Sequence, residues 1–134
     1  MRKSLAMTEE ERIHTAYHET GHALVAKLAD SKYQRVHKVT IIPRGRALGV
    51  TAVQPESDKY SLGTRELLDQ LLYVMGGRAA EKVKFEDFST GASNDLQRAT
   101  DLAHRMVCEF GMSEKLGPRT FGAPSQPLWV GRDM

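Results

Sequence analysis

Two histidines stand four residues apart in the segment His18-Glu19-Thr20-Gly21-His22, with a glutamate directly after the first. No other stretch limits so sharply what this chain can become. The segment lies inside an expected helix. Thr8-x-x-Glu11 forms a capping box, and Glu9 to Glu11 suit the positive end of the helix dipole. Ile13, Tyr17, Leu24 and Leu28 recur at helical spacing, so the helix is expected from Thr8 to about Ala29. On a helix, residues i and i+4 lie one above the other. His18 and His22 can therefore aim their imidazoles at one metal ion. Glu19 is turned about 100° away, out of the same coordination sphere but within reach of a water on the metal. This is the mechanical content of the H-E-x-x-H pattern: zinc lowers the pKa of its water towards ~7, and the carboxylate takes the proton. His14 is one turn further back, ~6 Å too far along the helix to share the ion, and reads as a solvated side chain. His37 and His104 read as a strand residue and a helix polar-face residue.

A catalytic zinc needs a third protein ligand. No x-x-G-x-x-H follows His22, so the ligand must come from elsewhere, and carboxylates are the candidates. A third helix is expected from Ser93 or Asn94 to Gly111. Leu96, Ala99, Leu102, Ala103, Met106 and Phe110 form its apolar side, and Gln97, Arg98, Asp101, His104 and Arg105 its polar side. Asp95 precedes Ala99 and Leu102 at helical spacing and points inward. An inward carboxylate needs a partner, either zinc or the free amides of the helix N-terminus. Glu81, beside the apolar face of the second helix, is the reserve ligand.

The rest of the chain supplies a frame for these residues. A second helix is expected from about Thr64 to Lys82, marked by Leu67, Leu68, Leu71, Leu72, Met75 and Ala79. Gly76-Gly77 inside it costs about 1 kcal/mol per glycine relative to alanine, which points to close packing against another backbone. Val36 to Pro43 and Ala47 to Val53 read as strands joined by Arg44-Gly45-Arg46. Pro55 to Gly63 and Lys84 to Ala92 read as loops, and the tail from Pro118 as irregular. The fold class is mainly α (α+β), with a small antiparallel hairpin, in one domain over residues 1–134. At 134 residues, with 40% hydrophobic and 27% charged residues, the chain is an ordinary globular domain with room for a core. A net charge of +2 with no basic block does not imply nucleic acid. Cys108 is the only cysteine, which excludes a disulfide framework and fits a reducing compartment. The apolar runs are too short to span a bilayer, and the N-terminus does not read as a signal peptide.

The segments TAYHETGHALVA, HKVTIIPRGRALGVT, GGRAAE, STGASNDLQRATDLAHRMV and GMSEKLGP resemble the protease domain of the FtsH family, membrane-anchored AAA+ zinc metalloproteases. The resemblance covers nearly the whole chain. It implies one Zn2+ per chain on His18, His22 and Asp95, with Glu19 as the catalytic base. It implies peptide-bond hydrolysis in unfolded or membrane proteins, and a homo-hexamer that threads substrate from an ATPase ring. It places the full protein on the cytoplasmic face of the bacterial inner membrane, or on the matrix or stromal side of an organelle membrane. The usual family motif is HEAGH; Thr20 replaces a residue that is not a ligand. No G-x-x-x-x-G-K-[ST] loop is present, so ATP is used by the full-length protein and not bound here. The chain is expected to be a soluble fragment, with the ATPase domain, transmembrane segments and C-terminal helices absent.

Substrate is expected to add as a strand along Leu48, Gly49, Val50 and Thr51, with Gly49 allowing close backbone approach. Two rival readings accompany this one. Glu19-x-x-His22 fits one element of a di-iron carboxylate bundle, but the only other such element, Glu11-x-x-His14, lies on the same helix. The other rival is a non-catalytic assembly platform with a structural metal.

Overall fold

The computed structural model describes residues 6–31, 34–43, 49–55 and 61–122. Helix α1 spans Glu9–Ala29, strand β1 Gln34–Thr40, strand β2 Val50–Pro55, helix α2 Thr64–Phe85 and helix α3 Ser93–Cys108. A single 3-10 turn, Thr90–Ala92, leads into α3. The two strands form one antiparallel sheet, with Val39 opposite Thr51 and Thr40 opposite Val50. The register slips between Val36 and Lys38, which puts His37 in a bulge. This is the mainly α fold with a small hairpin that the sequence implies. The strands lie about two residues away from the expected ones, and Arg44-Gly45-Arg46 falls outside the described residues.

The caps explain where the helices begin and end. Thr8 accepts from the Glu11 amide at 3.1 Å, and Glu11 accepts from the Thr8 amide at 2.8 Å, the expected capping box. Gly63 donates its amide to Glu66 at 2.8 Å and starts α2. That helix runs past Lys82 to Phe85, and Glu86 ends it in a left-handed conformation (φ 57°). Helix α3 ends at Cys108, before Gly111. Gly111 still makes the expected left-handed turn (φ 62°), and the Met112 amide returns to Met106 O at 2.9 Å.

Helices α1 and α2 pack tightly because glycine meets glycine at their crossing. A Cβ on Gly76 would lie 2.6 Å from Gly21 O, inside any real contact distance. The core beside this crossing is small: Ala26, Tyr73, Val74 and Ala99, flanked by Val36, Val53, Leu71 and Met75. The expected apolar faces prove only partly inward. In α1, Ile13, Tyr17, Leu24 and Leu28 are exposed, Leu28 at 74%. In α2, Leu68, Leu72 and Ala79 are exposed. In α3, Ala99 and Met106 are buried, whereas Leu96, Ala103 and Phe110 are exposed. The buried side of α1 is instead Thr15, His18, Glu19, Gly21, His22 and Ala26. The buried side of α2 is Leu67, Asp69, Tyr73, Val74, Gly76, Gly77 and Glu81. The small residues decide which face turns in, because only they let the two backbones approach. No helix of the described residues is long and apolar enough to cross a membrane.

Candidate metal centre

The inward face of α1 carries both motif histidines to the glycine crossing. Gly77 gives the rings their space: a Cβ there would lie 2.6 Å from His18 Cε1 and from His22 Nε2. Asp95 reaches the same point from the first turn of α3. Its Oδ2 lies 3.0 Å from His18 Nε2 and 3.1 Å from His22 Nε2, and the two Nε2 atoms are 3.1 Å apart. Asp95 makes no capping bond to its own helix. Of its two sequence readings, the inward contact is the one realised.

The outer hydrogen bonds fix what these three atoms can do. His22 Nδ1 lies 2.7 Å from Tyr73 O, and a carbonyl only accepts, so Nδ1 carries the proton. His18 Nδ1–H donates to Glu81 Oε2 at 2.5 Å. In each neutral ring the Nε2 is then a bare lone pair. Two nitrogen lone pairs and one carboxylate oxygen thus converge within 3.1 Å, an arrangement that needs a cation or an extra proton between them. A tetrahedral zinc with bonds of about 2.0–2.1 Å holds its ligands about 3.3 Å apart, so the observed triangle fits with an adjustment of a few tenths of an ångström. Its neutral-imidazole and carboxylate donors also suit zinc chemically.

Electrostatics report the same crowding. Burial pulls the His18 pKa down, but hydrogen bonds to Asp95 and Glu81 and the charges of Glu19 and Asp95 outweigh it, raising it to about 9. Burial pushes Asp95 up, but its bonds to His18 and His22 outweigh burial and hold it below the ordinary carboxylate range.

Glu81 is the most enclosed of these side chains, 1% exposed, and it is not one of the three converging groups. Its Oε2 holds His18, while its Oε1 accepts from Ser89 Oγ at 2.6 Å. Its two oxygens are thus both engaged, one by His18 and one by Ser89. His14 is not simply solvated. It stacks on Phe85 with ring centroids 4.6 Å apart, and its Nε2 lies 3.4 Å from Glu81 Oε1. His37 and His104 are exposed, as expected.

Glu19 is buried beside the centre and faces β2. Thr51 Oγ1 lies 2.9 Å from Glu19 Oε1 and 2.7 Å from Glu19 O, so its one proton is shared between these acceptors. Tyr73 donates its hydroxyl to Thr51 O at 2.8 Å and ties β2 to α2. Gly49 allows a close approach, but to α1 and β1: a Cβ there would meet Thr15 Cγ2 and Thr40 O at 2.8 Å. Of the four expected substrate-strand residues, Gly49, Val50 and Thr51 line the cleft, and Leu48 lies outside the described residues. The cleft measures about 700 Å³ and opens over His18, Glu19, His22 and Asp95. Sequence reasoning missed Tyr73, Thr51 and Ser89 as supports. The only signal for any of them was the Gly76-Gly77 pair, which marks where α2 comes close.

Comparison with known proteins now has a geometry to attach to. Residues 5–134 match peptidase family M41. This chain belongs to peptidase family M41. It is 50% identical over 133 residues to ATP-dependent zinc metalloprotease FtsH 1 of Thermoanaerobacter sp. (strain X514), covering 99% of this chain and 22% of that protein. It is 52% identical over 132 residues to ATP-dependent zinc metalloprotease FtsH of Myxococcus xanthus (strain DK1622), covering 98% and 20%. It is 53% identical over 133 residues to ATP-dependent zinc metalloprotease FtsH 2 of Methylacidiphilum infernorum (isolate V4), covering 99% and 21%. The chain therefore spans about one fifth of the length of these curated M41 relatives.

Proposed function

We propose that residues 1–134 form one zinc-dependent endopeptidase unit, with His18, His22 and Asp95 as metal ligands and Glu19 as general base. The observation that carries this reading is the convergence of two imidazole nitrogens and one carboxylate oxygen on a single point of the cleft. Zinc, named in the relatives, supplies Lewis-acid activation of a water and of a peptide carbonyl when bound. Glu19 accepts the proton of the attacking water and passes it to the departing amine. Thr51 holds the Glu19 carboxylate towards the cleft, and Glu81 and Tyr73 O fix the two imidazoles. The open cleft and three protein ligands favour a catalytic ion over a structural one, which takes four.

The test is hydrolysis of a short unstructured peptide by the zinc-loaded chain and by Glu19→Gln. The variant keeps its zinc and loses at least about 100-fold in kcat, because only the base is removed. Activity retained in Glu19→Gln contradicts the role.

The substrate proposal is strand addition along the main chain of residues 48–51, supported by the place of β2 at the cleft with β1 on one edge only. Val50→Pro raises KM for an unfolded protein, and unchanged kinetics remove the idea. We further propose that the full-length protein couples this unit to ATP hydrolysis elsewhere in its chain. It acts as a homo-hexamer on unfolded polypeptides, at the cytoplasmic or matrix/stromal face of a membrane. Its solution mass and its partition with membranes test those two statements.

A further inference from the structure

Among the described residues, the cleft carries one cationic side chain besides its histidines, with no part in the centre described above. Arg98 lines it beside Asp95, three residues further along α3 and therefore on the neighbouring position of the same face. It is exposed, and no ion pair of Arg98 is found among the described residues. The acidic groups around the same cleft are Glu10, Glu11, Glu19, Glu81 and Asp95. Histidines aside, Arg98 is the one cationic residue among the described residues of this lining. Asp95, three residues before it, is turned to the two histidines, and Asp101, three residues after it, lies outside the cleft lining.

Tyr73, Thr51 and Glu19 line the same cleft as Arg98. The Tyr73 hydroxyl is bonded to Thr51 O, and the Thr51 side chain reaches Glu19. Arg98 therefore shares one cleft with β2, Glu19 and Asp95, one helical turn beyond Asp95 on α3.

We propose that Arg98 is a specificity-determining residue that pairs with a substrate carboxylate next to the cleaved bond. Aspartate or glutamate there is favoured over the isosteric amide and over lysine. A guanidinium offers paired donors in a fork that matches a carboxylate, and without it the acidic lining repels such a segment. Because the side chain is exposed, the discrimination is moderate and screened by salt. The inference rests on the zinc-peptidase reading for the direction of the substrate.

The test uses matched unstructured peptides that differ only in Glu, Gln or Lys at one position, stepped through the positions flanking the cleaved bond. On the zinc-loaded chain at low ionic strength, kcat/KM for Glu exceeds that for Gln by about threefold to tenfold at one position. The ratio falls towards one at high salt and in Arg98→Ala, and Arg98→Glu favours the Lys peptide instead. Anisotropy of labelled peptides on zinc-loaded Glu19→Gln reads binding without turnover, and Kd follows the same order there. A Glu/Gln ratio that is equal in the parent and Arg98→Ala, or no measurable binding of the Glu peptide, overturns the proposal. Zinc content is measured on every variant. Hydrolysis without discrimination counts against Arg98 alone, whereas absent zinc or absent hydrolysis in the parent counts against the peptidase reading.

Discussion

His22 has no choice of tautomer. Tyr73 O can only accept, so the proton sits on Nδ1, and Nε2 is left bare towards the metal position. His18 has more freedom, because its partners on both sides are carboxylates. Without metal it takes a second proton readily, and its pKa rises to about 9 from an ordinary 6.5. The sign follows directly. A group raised on folding contributes stability in full below its unfolded pKa, here about 6.5. That contribution is lost as pH rises through about 9. Asp95, held low, contributes above the ordinary carboxylate range and loses that contribution in acid. Zinc competes with the His18 proton, so binding to the metal-free chain at neutral pH releases about one proton, and apparent affinity climbs up to about pH 9. Titration calorimetry in two buffers of different ionisation heat measures this release; a buffer-independent heat at pH 7 contradicts it. At this scale the sequence was highly legible. The i, i+4 spacing fixed a shared point for two rings, and the face of Asp95 aimed it inward. The burial of Glu81 and its contact with His18 were not legible, because helical spacing gives direction but not depth.

Elements explain why the centre is rigid. The α1–α2 pair crosses where Gly21 meets Gly76, and one residue further on Gly77 provides the floor beneath both imidazoles. An alanine at 77 would gain helix propensity of about 1 kcal/mol. Its Cβ would also fall 2.6 Å from His22 Nε2 and 2.7 Å from His18 Nε2. The rings must then turn away from hydrogen bonds that hold them from behind. Gly77→Ala is predicted to cost about 1–3 kcal/mol in overpacking and at least about tenfold in zinc affinity, while helix content stays near that of the parent. A chelator competition assay with circular dichroism checks both; parent-like affinity would show that the floor is not needed. The Gly76-Gly77 pair was legible as close packing. The apolar stripes were legible as helices but not as core. Periodicity finds the direction in which leucines cluster, and the glycines, absent from that signal, decide which side meets the partner. Leu24 and Leu72 are exposed at 54% and 53% for this reason.

On the scale of the whole molecule, helices distant in sequence meet at one cleft. A mainly α frame with one hairpin brings residues 18, 19, 22 and 95 to a single cleft, although 73 positions separate the last two. The composition and the hairpin told little about that meeting, since contact between α1 and the start of α3 depends on how α2 lies between them. The chain belongs to peptidase family M41 and is about 50% identical, over nearly its whole length, to part of two ATP-dependent zinc metalloproteases. The central claim is that this chain closes one zinc site from two histidines of α1 and one aspartate of α3. The most direct measurement is bound zinc per chain, with its affinity, for the parent and Asp95→Ala after dialysis against trace zinc. The account predicts about one zinc in the parent and at least about a 100-fold loss of affinity in the variant, since a whole ligand is removed rather than its support. Zinc held equally well without the Asp95 carboxylate, or none held by the parent, would contradict it.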